Sequence, residues 1–380
     1  MGSFWSSTGF RANPFGNYTA EKEPELDQYL VRPAYFESLS ERSARVESFL
    51  LFGARGSGKS ASRIALYKAT MARLSANGAG PLPVTFDSFT TVLRDGIDGV
   101  RATALVKELA YLTCEAVLIW LAALEEADRQ PFLEAMDPDE EKLAVWLLQK
   151  FYFVRPESVR QVSTRKALEL VDQAWHKRPQ LWAAKKWNAI AAVVGGLAEL
   201  IVQKATGHPV GLGSAVTSAL TSTAEADEAG FAREVLTRMV DFAKIFGFTG
   251  VLVLIDKVDE TDLTTDSADA SSRLLLPLLA NTALMEVHGI GFMCFLWDRV
   301  REIYSGKRPV RLDKIPNAEI NWDDRFLVEM VDKRLAHFSG RKVSRFSEIC
   351  SSGTDDKAAL REMIKLTDPP IPKVMGWAEL

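Results

Sequence analysis

Residues 48–60 read SFLLFGARGSGKS, a short apolar run that leads directly into a glycine-rich loop and a lysine. The loop has the spacing G-x-x-x-x-G-K-[ST], with Gly53, Gly58, Lys59 and Ser60 at the specified positions. The apolar run predicts a buried strand, and the helical spacing of the apolar residues after the loop predicts a helix. Glycines let backbone N–H groups approach and surround a phosphate, and the start of a helix adds positive potential there. The stretch therefore predicts a phosphate-binding loop between a strand and a helix.

The residues of this loop have separate predicted parts. Lys59 is expected to reach the β- and γ-phosphates of a nucleoside triphosphate, and the Ser60 hydroxyl is expected to ligate Mg²⁺. Backbone N–H groups along the loop are expected to hold the phosphates. The predicted nucleotide-binding residues are Gly53, Ala54, Arg55, Gly56, Ser57, Gly58, Lys59, Ser60 and Ala61.

A second apolar run ends in acids, since residues 251–260 read VLVLIDKVDE. A carboxylate at the carboxyl end of a parallel strand lies in the crevice where α/β sheets bind ligands. Asp256 is therefore predicted to hold Mg²⁺ together with Ser60, directly or through water. Asp259 and Glu260 are predicted to orient or deprotonate the attacking water, and the sequence does not divide that part between them. With Lys59, these three acids are the predicted catalytic residues.

The order of apolar and helical segments predicts the architecture. Short buried strands alternate with helices at both ends of the chain, which is typical of an α/β parallel sheet flanked by helices. We predict a nucleotide-flanking segment at 1–47, a P-loop NTPase core split between 48–90 and 246–318, a large all-helical insertion at 91–245 and a short C-terminal helical lid at 319–380.

Composition limits the classes of protein. The 380 residues are 47% hydrophobic and 25% charged, as in soluble globular proteins, and the formal net charge of −4 argues against a protein that mainly coats nucleic acid. Two apolar stretches, at 116–124 and 190–202, are shorter than the roughly 20 residues that span a bilayer, so we expect core helices and no membrane association. The three cysteines fit no metal spacing, and no secretory signal is visible, so we expect a cytoplasmic protein.

These motifs resemble a known group of ATPases. The pattern of apolar strand, Asp, any residue, apolar residue, Asp and Glu in 251–260 is similar to the extended Walker B motif of NACHT-type and related STAND P-loop NTPases. The segment NPF at 13–15 with the acidic run after it resembles the adenine-side segment of related ATPases. Residues 320–339, INWDDRFLVEMVDKRLAHFS, resemble the start of the lid helices in these and in KAP-type and origin-recognition-type ATPases. The long helical insertion resembles KAP proteins. The resemblance implies ATP and Mg²⁺ as ligands, and no Asn-Lys-x-Asp guanine motif is visible.

The sequence departs from this group at Lys257. NACHT-like proteins have a small residue directly after the first Asp, whereas many other relatives have Glu there. Lys257 is expected either to cover apolar surface with its stem or to pair with Asp259 or Glu260.

Further candidates for contact with the terminal phosphate follow along the chain. Asp298 and Arg299 come after the apolar strand GFMCFLW, where P-loop ATPases often place a phosphate sensor; Asp298 is equally a candidate helix cap. Arg308 and Arg311 are candidate arginine fingers for a neighbouring subunit. The pair Pro372-Lys373 resembles the Pro-Arg that opens a lid helix in related ATPases.

Three functions are compatible with these features. The first is a nucleotide-controlled switch or assembly ATPase that acts with a protein partner and can form a homo-oligomer; the resemblance adds bacterial signalling and anti-phage defence. The second is a nucleic-acid-associated motor or loader, in which the run KRPQLWAAKKW at 177–187 would stack bases and contact phosphates. The same run also fits an amphipathic helix with a solvated basic face and packed tryptophans, and the acidic pI argues against nucleic-acid binding. The third is a scaffold that binds nucleotide without turnover, for which Lys257 is the support.

Overall fold

The computed structural model describes residues 9–17, 19–23, 25–77, 79–174, 196, 199–203, 228–306 and 310–349. Its centre is a five-stranded, all-parallel sheet with the strand order β2-β3-β4-β1-β5. The strands are β1 (Phe49–Gly53), β2 (Leu82–Phe86), β3 (Val251–Ile255), β4 (Ile290–Trp297) and β5 (Asn317–Glu319). The predicted α/β class with a parallel sheet is confirmed.

The strand register brings both sequence motifs to one edge of the sheet. Gly53, the last residue of β1, is opposite Trp297 of β4, and Ile255 of β3 is opposite Phe86 of β2. The residues of β1 and β3 are all buried, as is usual for parallel strands covered on both faces. Because β4 lies between β1 and β3, their carboxyl ends are separated by two strand spacings, about 10 Å.

Helices surround the sheet. Numbered along the described residues, they are α1 (Leu26–Tyr29), α2 (Ala34–Ala44), α3 (Lys59–Asn77), α4 (Ala102–Ala123), α5 (Glu126–Ala135), α6 (Pro138–Leu147), α7 (Glu157–Ala174), α8 (Glu228–Ile245), α9 (Ala268–Leu279), α10 (Thr282–Met285), α11 (Asp298–Gly306) and α12 (Asp324–Phe338). Short 3-10 turns occur at Ala20–Lys22, Ile97–Gly99 and Phe346–Ile349, and a π-helical turn at Leu148–Tyr152. Helix α3 begins at Lys59, directly after the glycine-rich loop, and packs against β1 and β4.

The described part of the predicted insertion is helical and shares its core with the sheet. Helices α4 and α8 pack against each other, and α4 packs on β2. Buried residues of α4 and α8, such as Val117 and Leu236, belong to the same apolar cluster as Leu50 of β1 and Val253 of β3. The apolar stretch 116–124 is therefore part of a core helix, and among the helices of the described residues none is long and apolar enough to cross a membrane.

The chain before β1 packs on the helix that follows β5. Phe10 contacts the apolar face of α12, and Nη1 and Nη2 of Arg334 each donate to the carboxylate of Glu23 at 2.8 Å. Glu25 pairs with His337 of the same helix at 2.7 Å. The N-terminal segment and α12 are thus joined into one layer, which also reaches the glycine-rich loop.

Candidate functional site

The loop between β1 and α3 depends on glycine at three positions. Gly56 and Gly58 have φ angles of 79° and 96°, in the left-handed region that side chains disfavour. A Cβ atom on Gly53 would lie 2.5 Å from the Ser57 hydroxyl oxygen, so a side chain there would displace the loop. Such a loop at the start of a helix forms an anion-binding concavity of backbone N–H groups. The backbone fits the predicted phosphate-binding loop.

Side chains inside the loop also fit an anion site. Lys59 is buried, and its ammonium donates to the carbonyl oxygens of Gly53 (3.0 Å) and Ala54 (3.1 Å). The Ser57 hydroxyl is buried without a hydrogen-bond partner in the described part of the chain. Trp322 supports the loop from outside, since its indole N–H donates to the Ser57 carbonyl oxygen at 2.8 Å. The Lys59 ammonium and the Ser57 hydroxyl are therefore two donors that could bind a phosphate group.

Asp256 lies at the end of β3 and pairs with an arginine of the loop helix. The Asp256 side chain is 2% exposed, and its carboxylate accepts from Nε of the fully buried Arg63 at 2.9 Å. Nη2 of Arg63 lies 3.2 Å from the carboxylate of Glu21, and its Nη1 is buried without a partner in the described residues. Arg63 is not among the site residues predicted from the sequence. The available signal was its position four residues after Lys59, which places both cations on one helix face.

Lys257 pairs with Glu21 rather than with the predicted partners Asp259 or Glu260. The ammonium of Lys257 lies 2.8 Å from the Glu21 carboxylate, and Lys257 has a left-handed φ of 60°. Desolvation would raise the pKa of Glu21, but the hydrogen bond from Lys257 and the charges of Lys257 and Arg63 outweigh it and lower that pKa below its ordinary value. The N-terminal segment therefore contributes the ionised carboxylate of Glu21, which contacts Arg63, the partner of Asp256. This contribution was not predicted.

Asp259 is held by a residue of the glycine-rich loop itself. Arg55 donates from Nε to the Asp259 carboxylate (3.2 Å) and from Nη2 to the Asp259 carbonyl oxygen (2.9 Å) and the Thr265 carbonyl oxygen. The Arg55 guanidinium also lies over the Trp297 ring at the end of β4, 4.6 Å from its centroid. Asp259 is 3% exposed, whereas the Arg55 side chain is 35% exposed. Arg55 thus joins the carboxyl ends of β1, β3 and β4.

Glu260 differs from Asp259 in its surroundings. Its side chain is exposed, and its backbone N–H donates to the Lys257 carbonyl oxygen at 3.2 Å. Partial desolvation of the carboxyl group raises the pKa of Glu260; the charge of Lys257 opposes this, and the charges of Asp256 and Asp259 reinforce it. A carboxylate with a raised pKa is a better proton acceptor near neutral pH. The structure therefore distinguishes two acids that the sequence could not.

The remaining candidates are spread over the fold. Asp298 begins α11, where its carboxylate accepts from the Arg299 N–H at 2.7 Å, and the Arg299 guanidinium lies 5.1 Å from the Trp297 ring centroid. Arg311 pairs with Asp313 at 2.7 Å in the connection that leads into the amino end of β5, whereas the glycine-rich loop follows the carboxyl end of β1. Arg308 and Lys373 lie outside the described residues, as does the basic run 177–187.

Protein side chains alone do not form a metal site here. Within the described ranges, no group of three or more His, Cys, Asp or Glu residues is arranged to hold a metal ion. Ser60 and Asp256 are the residues that could hold Mg²⁺, and Mg²⁺ in such sites usually takes its other ligands from substrate phosphates and water. The arrangement fits a metal that arrives with a phosphorylated ligand.

A separate cavity of about 1020 Å³ lies between β2, α4 and α7, and its lining includes no residue of the glycine-rich loop. One lining residue, Glu115 of α4, is buried and accepts hydrogen bonds from the hydroxyls of Tyr111 (3.0 Å), Ser163 (2.7 Å) and Thr164 (3.1 Å). Burial raises the pKa of Glu115 to about 7 despite these hydrogen bonds.

Comparisons of the chain with known protein families, curated proteins and solved structures find no match. What can be inferred about function therefore rests on the residues and their geometry.

Proposed function

We propose that this chain binds ATP with Mg²⁺ at residues 53–61 and hydrolyses the β–γ phosphoanhydride, acting as a nucleotide-controlled switch or assembly ATPase with a protein partner. The observation that carries the proposal is the glycine-rich loop with Lys59 folded onto it, at the carboxyl edge of a parallel sheet where Asp256 also lies. Loop, helix start and acid are the parts that P-loop enzymes use for phosphoryl transfer.

The residues of the chain divide the work as follows. Lys59 exchanges the carbonyl oxygens of Gly53 and Ala54 for phosphate oxygens, which keeps its ammonium hydrogen-bonded in a buried place. The Ser60 hydroxyl and the Asp256 carboxylate are the groups that would hold Mg²⁺, whose chemistry is to neutralise charge on the phosphates. Glu260 accepts a proton from water, because its pKa is raised, its side chain is exposed and no arginine of the described residues pairs with it.

Control by the nucleotide is proposed to run through the N-terminal segment. Glu21 contacts Arg63 and Lys257 beside Asp256, whereas Glu23 and Glu25 contact α12. A change at Asp256 on metal binding would thus be transmitted to α12 through one short segment. The roles in signalling or anti-phage defence and the formation of a homo-oligomer rest only on the resemblance to STAND and KAP ATPases.

A second function is favoured by a specific observation. Both Asp256 and Asp259 are paired with arginines. These arginines compete with Mg²⁺ and water for the two carboxylates. A chain in which these pairs persist would bind ATP without turnover and act as a nucleotide-dependent scaffold.

One experiment separates the two functions. Phosphate release from ATP and the mass of the particle in solution are measured together, with and without ATP and Mg²⁺. The switch or assembly ATPase predicts turnover and an ATP-dependent change in mass; Glu260→Gln is expected to retain binding and to lose roughly a hundredfold in turnover. Binding with a mass change but no turnover would favour the scaffold, and wild-type turnover in both Glu260→Gln and Asp259→Asn would place the proton acceptor elsewhere.

A further inference from the structure

Arg55 occupies a variable position of the glycine-rich loop, yet its guanidinium is one of the best-connected groups of the site. It binds the carboxylate and carbonyl oxygens of Asp259, binds the Thr265 carbonyl oxygen and stacks on Trp297. These contacts aim the side chain toward the carboxyl ends of β3 and β4. That is the side on which Asp256 and Glu260 also lie.

This position decides which part of a bound nucleotide Arg55 would meet. If Asp256 holds the metal and Glu260 takes the proton, the terminal phosphate must lie between the loop and these acids. Arg55 spans the same space, because its backbone belongs to the loop and its guanidinium ends at Asp259. The γ-phosphate would therefore come within reach of Arg55.

The charges and the exposure of the pair make an exchange of partners feasible. Arg55 is 35% exposed, so its guanidinium can turn toward a ligand without leaving a closed core, whereas Asp259 is 3% exposed. A terminal phosphate carries more charge than one carboxylate and suits the planar fork of a guanidinium. Release from Arg55 would leave the Asp259 carboxylate beside the bound nucleotide.

We propose that Arg55 is a specificity-determining residue through which this site distinguishes a nucleoside triphosphate from a diphosphate: its guanidinium is held by Asp259 until a γ-phosphate replaces that carboxylate. The inference rests on the proposed function, since it assumes that nucleotide binds at residues 53–61. It predicts that Arg55 and Asp259 act with opposite sign on binding. Arg55 favours the triphosphate, and Asp259 competes with it for the same guanidinium.

The test is titration of a non-hydrolysable ATP analogue and of ADP, each with Mg²⁺, into the full chain and its variants. Arg55→Ala is expected to lower affinity for the ATP analogue about tenfold while changing ADP affinity less than about threefold. Asp259→Asn is expected to raise affinity for the ATP analogue about threefold, because the competing carboxylate is removed. Arg301→Ala is the matched control, since Arg301 lies in α11 and pairs with Glu319 on the surface. Its affinities should equal those of the wild type.

The outcomes separate the inference from the function beneath it. Equal losses of ATP-analogue and ADP affinity in Arg55→Ala would overturn the inference. A loss of ATP-analogue affinity in Asp259→Asn would also overturn it, because two residues that only stabilise the loop would both lower affinity when substituted. A wild-type chain that binds neither nucleotide would overturn the proposed function and this inference together. Arg55→Lys guards against a folding defect, since it retains the charge without the fork and should fall between wild type and Arg55→Ala.

Discussion

Two arginines eight residues apart, Arg55 and Arg63, each bind one acid of the stretch 256–260. Arg63 lies on α3, is fully buried, and meets Asp256 at 2.9 Å; Arg55 lies in the loop, is 35% exposed, and meets Asp259 at 3.2 Å. Breaking a buried pair leaves a charge with no water to replace its partner, whereas a pair at the surface can exchange its partner for solvent or a ligand. The Arg63 pair therefore stabilises the fold, whereas the Arg55 pair is exposed enough to exchange its carboxylate for a ligand.

The largest expected effect breaks the buried pair. Arg63→Ala is expected to lower the free energy of unfolding by about 3–5 kcal/mol, because Asp256 stays buried without a cation. Arg55→Ala is expected to lower it by about 1–2 kcal/mol, because removal of a partly exposed side chain opens Asp259 to water. Urea denaturation followed by circular dichroism measures both values.

Two further variants keep this comparison falsifiable. Lys142→Ala removes an exposed pair with Asp139 and should leave the denaturation midpoint unchanged. Combining Arg63→Met with Asp256→Asn should recover at least half of the loss, because no charge is then left unpaired. If Arg55→Ala destabilises as much as Arg63→Ala, the distinction between a structural and an exchangeable pair is wrong.

Glu115 of α4 is a buried acid that forms no ion pair within the described residues, unlike Asp256 and Asp259. Three hydroxyls donate to the Glu115 carboxylate, and burial raises its pKa to about 7, above the value of an unfolded chain. The folded state then binds more protons than the unfolded state between about pH 4.5 and 7, so this contribution to stability is lost as pH rises through that window. Glu115→Gln should remove a pH dependence of at most about 3 kcal/mol. Denaturation at pH 5, 6 and 7 checks it, and identical slopes in variant and wild type would contradict it.

The smallest expected effect concerns Lys257, which lies in the sequence between the two acids that the arginines bind, Asp256 and Asp259. Its φ of 60° costs a non-glycine residue about 1 kcal/mol, and its half-buried pair with Glu21 offsets that cost. Lys257→Gly loses the pair and the strain, whereas Lys257→Ala loses only the pair. The free energy of unfolding of the glycine variant should therefore be about 1 kcal/mol higher than that of the alanine variant. Equal stability of the two would show that the backbone there is not strained.

The parts of the site that the sequence could predict are those written in consecutive residues. SFLLFG and VLVLI are apolar enough to define buried strands, and GARGSGKS fixes a loop between strand and helix, so the parallel sheet and the loop followed from pattern. Because parallel strands end at one edge, Asp256 could also be assigned to the crevice. The structure was needed to show that β3, the strand before Asp256, lies next to β4 rather than next to β1.

The parts that could not be predicted depend on contacts between distant residues. The pairs of Arg55 with Asp259 and of Arg63 with Asp256 span about two hundred residues, and no local pattern encodes which acid meets which arginine. The contribution of Glu21 was hidden for the same reason, since the acids at 21–27 gave no sign that two of them contact α3 and the other two contact α12.

The central claim is that residues 53–61 bind a nucleoside triphosphate through Lys59, and calorimetric titration of ATP with Mg²⁺ tests it most directly. The wild-type chain and Lys142→Ala are expected to bind one ATP per chain with the same affinity. Lys59→Ala, with its folding verified by circular dichroism, is expected to bind at least about a hundredfold more weakly, because the buried ammonium that meets the phosphates is gone. Binding by Lys59→Ala equal to that of the wild type, or no binding by the wild type, would contradict the claim.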